Sequence, residues 1–232
     1  VSSGLEDYLA LQQSPRRAPA IIGCAPWLSD KQLVDQILHF GNSCIVINKP
    51  ERVGAEPTEV KRLHDQGNGF PAKVLPEFQW LAPSEDGEPA IVGPSSYDPA
   101  ARGFKSVRVA GVSKQDRSTV PLVHAKMLLL GATVESEGEF GEQIIRWESH
   151  QAWLGSANFT FNSRRSVEFG LWVTDSSLLA LVTRFLSDLF SYSEVLDSYQ
   201  LNPNPEWIPY EFDDAAIFEY LAEHSGEFKD DE

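Results

Sequence analysis

Short apolar runs alternate along this chain with segments whose apolar residues recur at helical spacing. Residues 5–12 predict a short helix, followed by a Pro/Arg-containing linker up to residue 19, and residues 20–25 read as a strand. Ser29 and Asp30 offer a cap for an amphipathic helix over 31–40, with Leu33, Val34, Ile37 and Leu38 on one face. Gly41 and Asn42 mark a turn before a second strand at 44–48. Strand, helix and strand in that order predict parallel pairing through a right-handed crossover. Thr58 is placed to cap a helix over 59–66. Residues 67–98 are irregular, rich in Gly, Pro and Ser, and carry Phe70, Phe78, Trp80 and Leu81. Loops of this length are often functional, and these aromatics could stack on bases, meet lipid tails or simply pack.

The second half predicts strands at 105–112, 122–130, 152–154 and 166–173, then a helix over 178–190 and a terminal helix over 213–222. Residues 131–151, with Glu135, Glu137, Glu139 and Glu142, look like an acidic hairpin turning at Gly138 or Gly141. The expected class is α/β: a mixed central β-sheet flanked by helices on both faces. The organisation expected is an N-terminal helix and linker at 1–19, a catalytic domain at 20–202 and an acidic tail with a short helix at 203–232. No internal repeat is visible.

Composition narrows the picture. The 232 residues and 42% apolar content support a sizeable core, and no run approaches the roughly 18 apolar residues of a membrane span. No signal-peptide pattern opens the chain, and Cys24 and Cys44 both sit in apolar runs, so buried free thiols and a cytoplasmic location are expected. The absence of an initiating Met fits a piece of a longer polypeptide. No Cys/His cluster has metal-ligand spacing, and no cofactor is expected. The net charge of −15 argues against an anionic substrate until its distribution is considered. Residues 203–232 hold ten acidic side chains against Lys229 alone, whereas residues 101–131 hold Arg102, Lys105, Arg108, Lys114, Arg117 and Lys126 against Asp116 alone. A basic approach with an acidic periphery is expected, and the tail is a candidate to occupy a basic groove.

The chemistry is carried by His124 and Lys126, followed by Gly155-Ser156-Ala157-Asn158 and Glu168. On a strand, positions i and i+2 share a face, so His124 and Lys126 point the same way from an otherwise apolar element. An imidazole and an ammonium on a core strand are costly unless they meet an anion or a cavity. Together the groups suit a phosphodiester. Lys126, Asn158 and Ser156 can hold non-bridging oxygens, a neutral imidazole can attack phosphorus, and Glu168 can fix its tautomer. A second histidine must then protonate the leaving oxygen, and a twofold dimer would bring in the partner copy's own. Arg164 and Arg165 stand between Asn158 and Glu168, where they could grip a second phosphate or form a solvated turn. His39, His64 and His224 have no partner pattern, and His150 is a candidate to line the site.

These residues resemble the phospholipase D superfamily, whose signature is His-x-Lys-x4-Asp, then Gly-Ser-x-Asn and a later Glu. His124, Lys126, Gly155, Ser156, Asn158 and Glu168 match; Gly131 holds the Asp place, Ser166 stands where the family has Asn, and the stretch 131–151 is longer than usual. The resemblance implies a phospholipase D-like fold, metal-independent catalysis, a nucleophilic or acid His124, phosphate binding by Lys126, Ser156 and Asn158, and a Glu168 that steadies the imidazole. One motif per chain resembles the homodimeric, nuclease-rich branch, with the active site on the twofold axis.

The expected function is therefore a metal-independent endonuclease acting on nucleic acid, DNA ahead of RNA, through a phosphohistidine. Lys105, Arg108, Arg164, Arg165 and Trp80 are its candidate substrate contacts. The alternatives are a phospholipase D-type lipid phosphodiesterase and a catalytically degenerate module that binds nucleic acid or protein.

Overall fold

The two apolar runs nearest the N-terminus pair in parallel, as the strand–helix–strand order requires: Ile21 lies against Ser43 and Cys24 against Val46. A computed structural model describes residues 1–11, 16–50, 56–84, 88–94, 103–111, 122–138, 143–197 and 206–224. In chain order the elements are α1 (Ser2–Leu11), β1 (Arg17–Cys24), α2 (Lys31–Ile37), β2 (Asn42–Asn48), α3 (Thr58–Gln66), β3 (Leu81–Pro83), β4 (Ile91–Val92), β5 (Val107–Ala110), β6 (Met127–Glu137), β7 (Gln143–Gly155), β8 (Gly170–Val173), α4 (Ser176–Ser191), β9 (Glu194–Val195), β10 (Trp207–Pro209), β11 (Glu211–Phe212) and α5 (Asp214–His224). The central sheet has seven strands in the order β8-β7-β6-β1-β2-β5-β9. β1, β2 and β5 are parallel; β6 runs antiparallel to β1, and β6, β7 and β8 alternate in direction.

Successive strand residues face opposite sides of the sheet, so a run apolar at every position must be covered twice. On one face Ile21, Ile45, Val107, Leu128 and Leu130 pack with Leu5 and Tyr8 of α1, Leu33, Val34 and Ile37 of α2, and Val60 and Leu63 of α3. On the other, Ile22, Cys24, Cys44, Val46 and Leu129 pack with Leu179, Val182, Leu186 and Phe190 of α4 and with Phe70, Phe78, Phe104 and Trp207. The mixed sheet with helices on both faces is thus present. Among the described residues no helix is long and apolar enough to cross a membrane.

Several boundaries differ from expectation. α1 begins at Ser2 and buries Leu5 and Tyr8. The cap of α2 is Asp30, whose side chain accepts from the amides of Gln32 and Leu33. Thr58 is the first residue inside α3 rather than its cap, a place taken by Pro57. Residues 67–98 include 3-10 turns at Ala72–Val74 and Pro76–Phe78, and Phe70 and Phe78 are core residues. Glu206 onward does not begin as a free tail: β10 pairs with β3, β11 pairs with β4, and Trp207 is buried against Phe78 and Phe104. α5 buries none of its residues.

The expected acidic hairpin is the outward extension of the core strands. β6 and β7 pair from Met127–Leu154 to Glu137–Gln143, with one shift of register where Leu130 faces Gln151 and Gly131 faces Ser149. His150 is the extra residue of that bulge. Gly131 explains itself here: a Cβ on it would lie 2.1 Å from the Glu148 carbonyl oxygen and 2.5 Å from the Trp147 ring. Of the expected hairpin, Glu139, Gly141 and Glu142 lie outside the described residues, as do Arg102, Lys114, Arg117 and 225–232.

Candidate active site

The carboxyl ends of β1 and β2, the start of β6, the end of β7 and the start of β8 meet at one end of the sheet. In open α/β sheets this is where ligands bind. His124 and Lys126 arrive there on extended chain just ahead of β6, which begins at Met127 rather than at Leu122. The ladder nonetheless continues past the strand ends: Gly155 N donates to the Lys126 carbonyl at 3.2 Å, and Ser156 N to the Phe169 carbonyl at 3.0 Å. Three segments distant in sequence are fixed side by side by backbone hydrogen bonds.

His124 is exposed and Lys126 half-buried. Lys126 Nζ donates to the His124 carbonyl at 2.6 Å and lies 3.4 Å from His124 Nδ1. The predicted shared direction of the two side chains is present. Ser156 Oγ donates to Glu168 Oε2 at 2.5 Å and accepts from Phe169 N at 3.1 Å. Glu168 precedes β8, in the approach to the strand, and its carboxylate holds Ser156 rather than the imidazole. The single hydroxyl hydrogen of Ser156 is committed to Glu168, so Ser156 can donate to a phosphate only by releasing that carboxylate. Asn158 lies two residues further on, with a buried Oδ1 that has no hydrogen-bond partner among the described residues. It lines a cavity of about 300 Å³ together with Asp30, Leu33, Ser163 and Arg164.

A residue that the sequence reading did not single out sets the position of His124. Asn48, at the end of β2, accepts from Val123 N at 2.7 Å through Oδ1 and donates to the Val123 carbonyl at 3.1 Å through Nδ2. The amide imitates one rung of a ladder and pins the residue before His124. Gly111, at φ +82°, lets the chain leave β5 close beside this clamp; a Cβ there would come within 3.2 Å of Asn48 Oδ1. A polar amide closing an otherwise apolar strand was the available signal.

Other candidates are placed elsewhere. Lys105 precedes the amino end of β5, the opposite end of the sheet. Arg108 is 2% exposed, donating to Ser193 Oγ, the Ser193 carbonyl and Glu206, so it cannot face a substrate. Trp80 is exposed but lies near Tyr210, in the segment packed around Phe104 at that same far end. Arg164 is engaged by Asp30 through two nitrogens, at 2.5 and 2.8 Å, and by Gln32, and the Asp30 hydrogen bond raises its pKa. It braces the cap of α2 instead of gripping a phosphate. Arg165 is exposed, over the Phe161 ring at 5.1 Å.

His150 does not line the site. It sits at the bulge, with Nδ1 2.8 Å from Tyr8 Oη. Tyr8 gives its proton to the Gly131 carbonyl at 2.6 Å, so Nδ1 must be the donor to Tyr8. Cys24 and Cys44 are buried free thiols, both pushed up to about 12 by desolvation. Cys24 lies against the Ala125 carbonyl at 3.8 Å as a buried, neutral donor. Among the described residues no group of three or more His, Cys, Asp or Glu is arranged to hold a metal ion.

No protein-family model matches this chain, and no curated protein matches it.

Proposed function

We propose that the chain is a phosphodiesterase that works without a metal ion, a nuclease of the phospholipase D superfamily acting on DNA ahead of RNA as a homodimer. The observation that carries this reading is the convergence of His124, Lys126, Ser156 and Glu168, from three separate segments, at one sheet end.

A phosphodiester arriving there competes for the protons of Lys126. Drawing Nζ toward a non-bridging oxygen frees His124 Nδ1 to carry the imidazole proton, leaving the Nε2 lone pair to attack phosphorus. The P–O bond to the leaving strand breaks as the N–P bond forms. The leaving oxygen takes a proton from His124 of a twofold-related copy, which then activates water to release the phosphohistidine. Glu168 and the Phe169 amide hold Ser156 ready to exchange its carboxylate partner for phosphate.

The test is cleavage of labelled single- and double-stranded DNA and RNA in excess EDTA, with His124→Ala beside wild type. Cleavage by wild type and a loss of about a thousandfold or more in the variant are expected. Turnover of phosphatidylcholine vesicles with no nucleic-acid cleavage would move the same site to lipids. Nucleic-acid binding untouched by His124→Ala, with no phosphodiester turned over, would leave a binding module.

A further inference from the structure

Trp27 is an exposed aromatic at the end of the sheet where His124 and Lys126 stand. It is 57% exposed in the segment that leaves the carboxyl end of β1. On one side that segment is tied to the His124 approach: Asn48 N donates to the Pro26 carbonyl at 3.3 Å while the Asn48 side chain grips Val123. On the other it is tied to the segment after Asn158: Phe159 N donates to the Trp27 carbonyl at 3.2 Å, and Leu28 bridges Phe159. The backbone at Pro26 and Trp27 is therefore tied to Asn48, which grips the residue before His124, and to Phe159, the residue after Asn158, while the indole is left to solvent.

Two residues beyond Phe159, Phe161 is 56% exposed and carries the Arg165 guanidinium over its ring. Arg164 is saturated by Asp30 and Gln32, whereas Arg165 keeps its hydrogen-bonding edges toward solvent. A flat indole and a flat cation on an aromatic base thus flank the same sheet end. Rings of this kind suit flat, electron-rich partners, and a guanidinium adds a match for phosphate. An acyl chain uses neither property.

We infer that Trp27 and the Phe161–Arg165 pair form a stacking site for unpaired nucleobases, so that the substrate is single-stranded nucleic acid; this rests on the phosphodiesterase reading above. A base in a duplex is already stacked and cannot reach the indole, whereas an unpaired base can, with its phosphate directed toward Arg165 and Lys126.

The experiment is fluorescence anisotropy in excess EDTA on the full chain carrying His124→Ala, with labelled deoxythymidine decamer, a ten-base-pair duplex and phosphatidylcholine vesicles as probes. Trp27→Ala is expected to weaken decamer binding about tenfold, Trp27→Phe to restore most of it, and Arg165→Gln to weaken it and flatten its salt dependence, with duplex binding unmoved. Decamer affinity unchanged in Trp27→Ala overturns the inference even if wild type cleaves single strands, in which case the phosphodiesterase reading survives without it. Trp27-dependent decamer binding by a wild type that cleaves nothing leaves the stacking site and removes the catalytic reading. Vesicle binding lost in Trp27→Ala, with no decamer binding, also overturns the inference.

Discussion

Two sets of basic residues border the central sheet, and they are treated in opposite ways. Arg108 and Lys49 are buried: Arg108 is shared between Ser193 and Glu206, and Lys49 forms an ion pair with Glu194 in which both side chains are almost wholly enclosed. His124 is open to solvent and Lys126 half-open; Gly155 bonds the Lys126 carbonyl, and Asn48 pins the backbone of Val123 beside them. The first set has its hydrogen-bonding capacity spent inside the protein, where an unpaired charge would be costly. The second set keeps capacity in reserve, at the end of the sheet where the chain has tightened the backbone instead. Basic residues counted along a sequence do not separate these cases; their satisfaction does.

The comparison can be broken by exchanging stability for activity. The largest effect should come from Lys126→Gln, which on this reading lowers kcat by about 100-fold or more, while a partly exposed side chain leaves Tm near wild type. Cleavage rates in EDTA with parallel thermal melts check both halves. Arg108→Ala should do the reverse, costing about 3 kcal/mol of unfolding free energy by stranding Glu206 and the Ser193 carbonyl. Urea titration reads this, and the folded fraction should keep its specific activity. Gly131→Asp restores the signature residue of the resemblance, yet it should destabilise by about 3 kcal/mol, because its Cβ meets the Glu148 carbonyl and Trp147. A gain in activity without loss of Tm would show that the bulge yields.

A smaller effect tests the clamp. Asn48→Leu keeps the size of the side chain but removes both bonds to Val123, and kcat should fall about tenfold with little change in KM. Smallest is the pH dependence of the thiols. Cys24 and Cys44 are raised from 9.0 to about 12, so their protonated contribution is intact below pH 9 and is lost as pH rises toward 12. Tm should decline across that alkaline window, less steeply in Cys44→Ala. At pH 8 neither thiol should react with an alkylating agent until the protein is unfolded.

The layers were legible because the runs at Ile21 and Ile45 are apolar on every residue, which only a sheet covered on both faces accommodates. Three segments of the site were legible because His124, Lys126, Ser156 and Glu168 interrupt or terminate such runs. What escaped depends on pairing across long stretches of chain. Asn48 finds Val123 at a separation of 75 residues, and Arg108 finds Ser193 at 85. Trp80 and Trp27 look alike in sequence, and only the direction of the strands puts one at the far end of the sheet and the other at the end where His124 stands. Glu168 is the carboxylate the chemistry offers to the imidazole, but the Ser156 hydroxyl, its neighbour along the ladder, takes it.

The sheet order also dictates a schedule of assembly. β1 is made early but ends in the middle of the sheet, with β2 on one side and β6, more than a hundred residues downstream, on the other. During synthesis β1 and β2 can join while the other edge of β1, Arg17 to Cys24, waits uncovered for a strand not yet made. The β6–β7 hairpin, whose pairing is local, can form quickly once it emerges and close that edge in a single docking step. Because His124 and Lys126 stand at the mouth of β6, the candidate site takes shape only at that docking, and a nascent chain stalled before the hairpin carries an open strand and no such cluster.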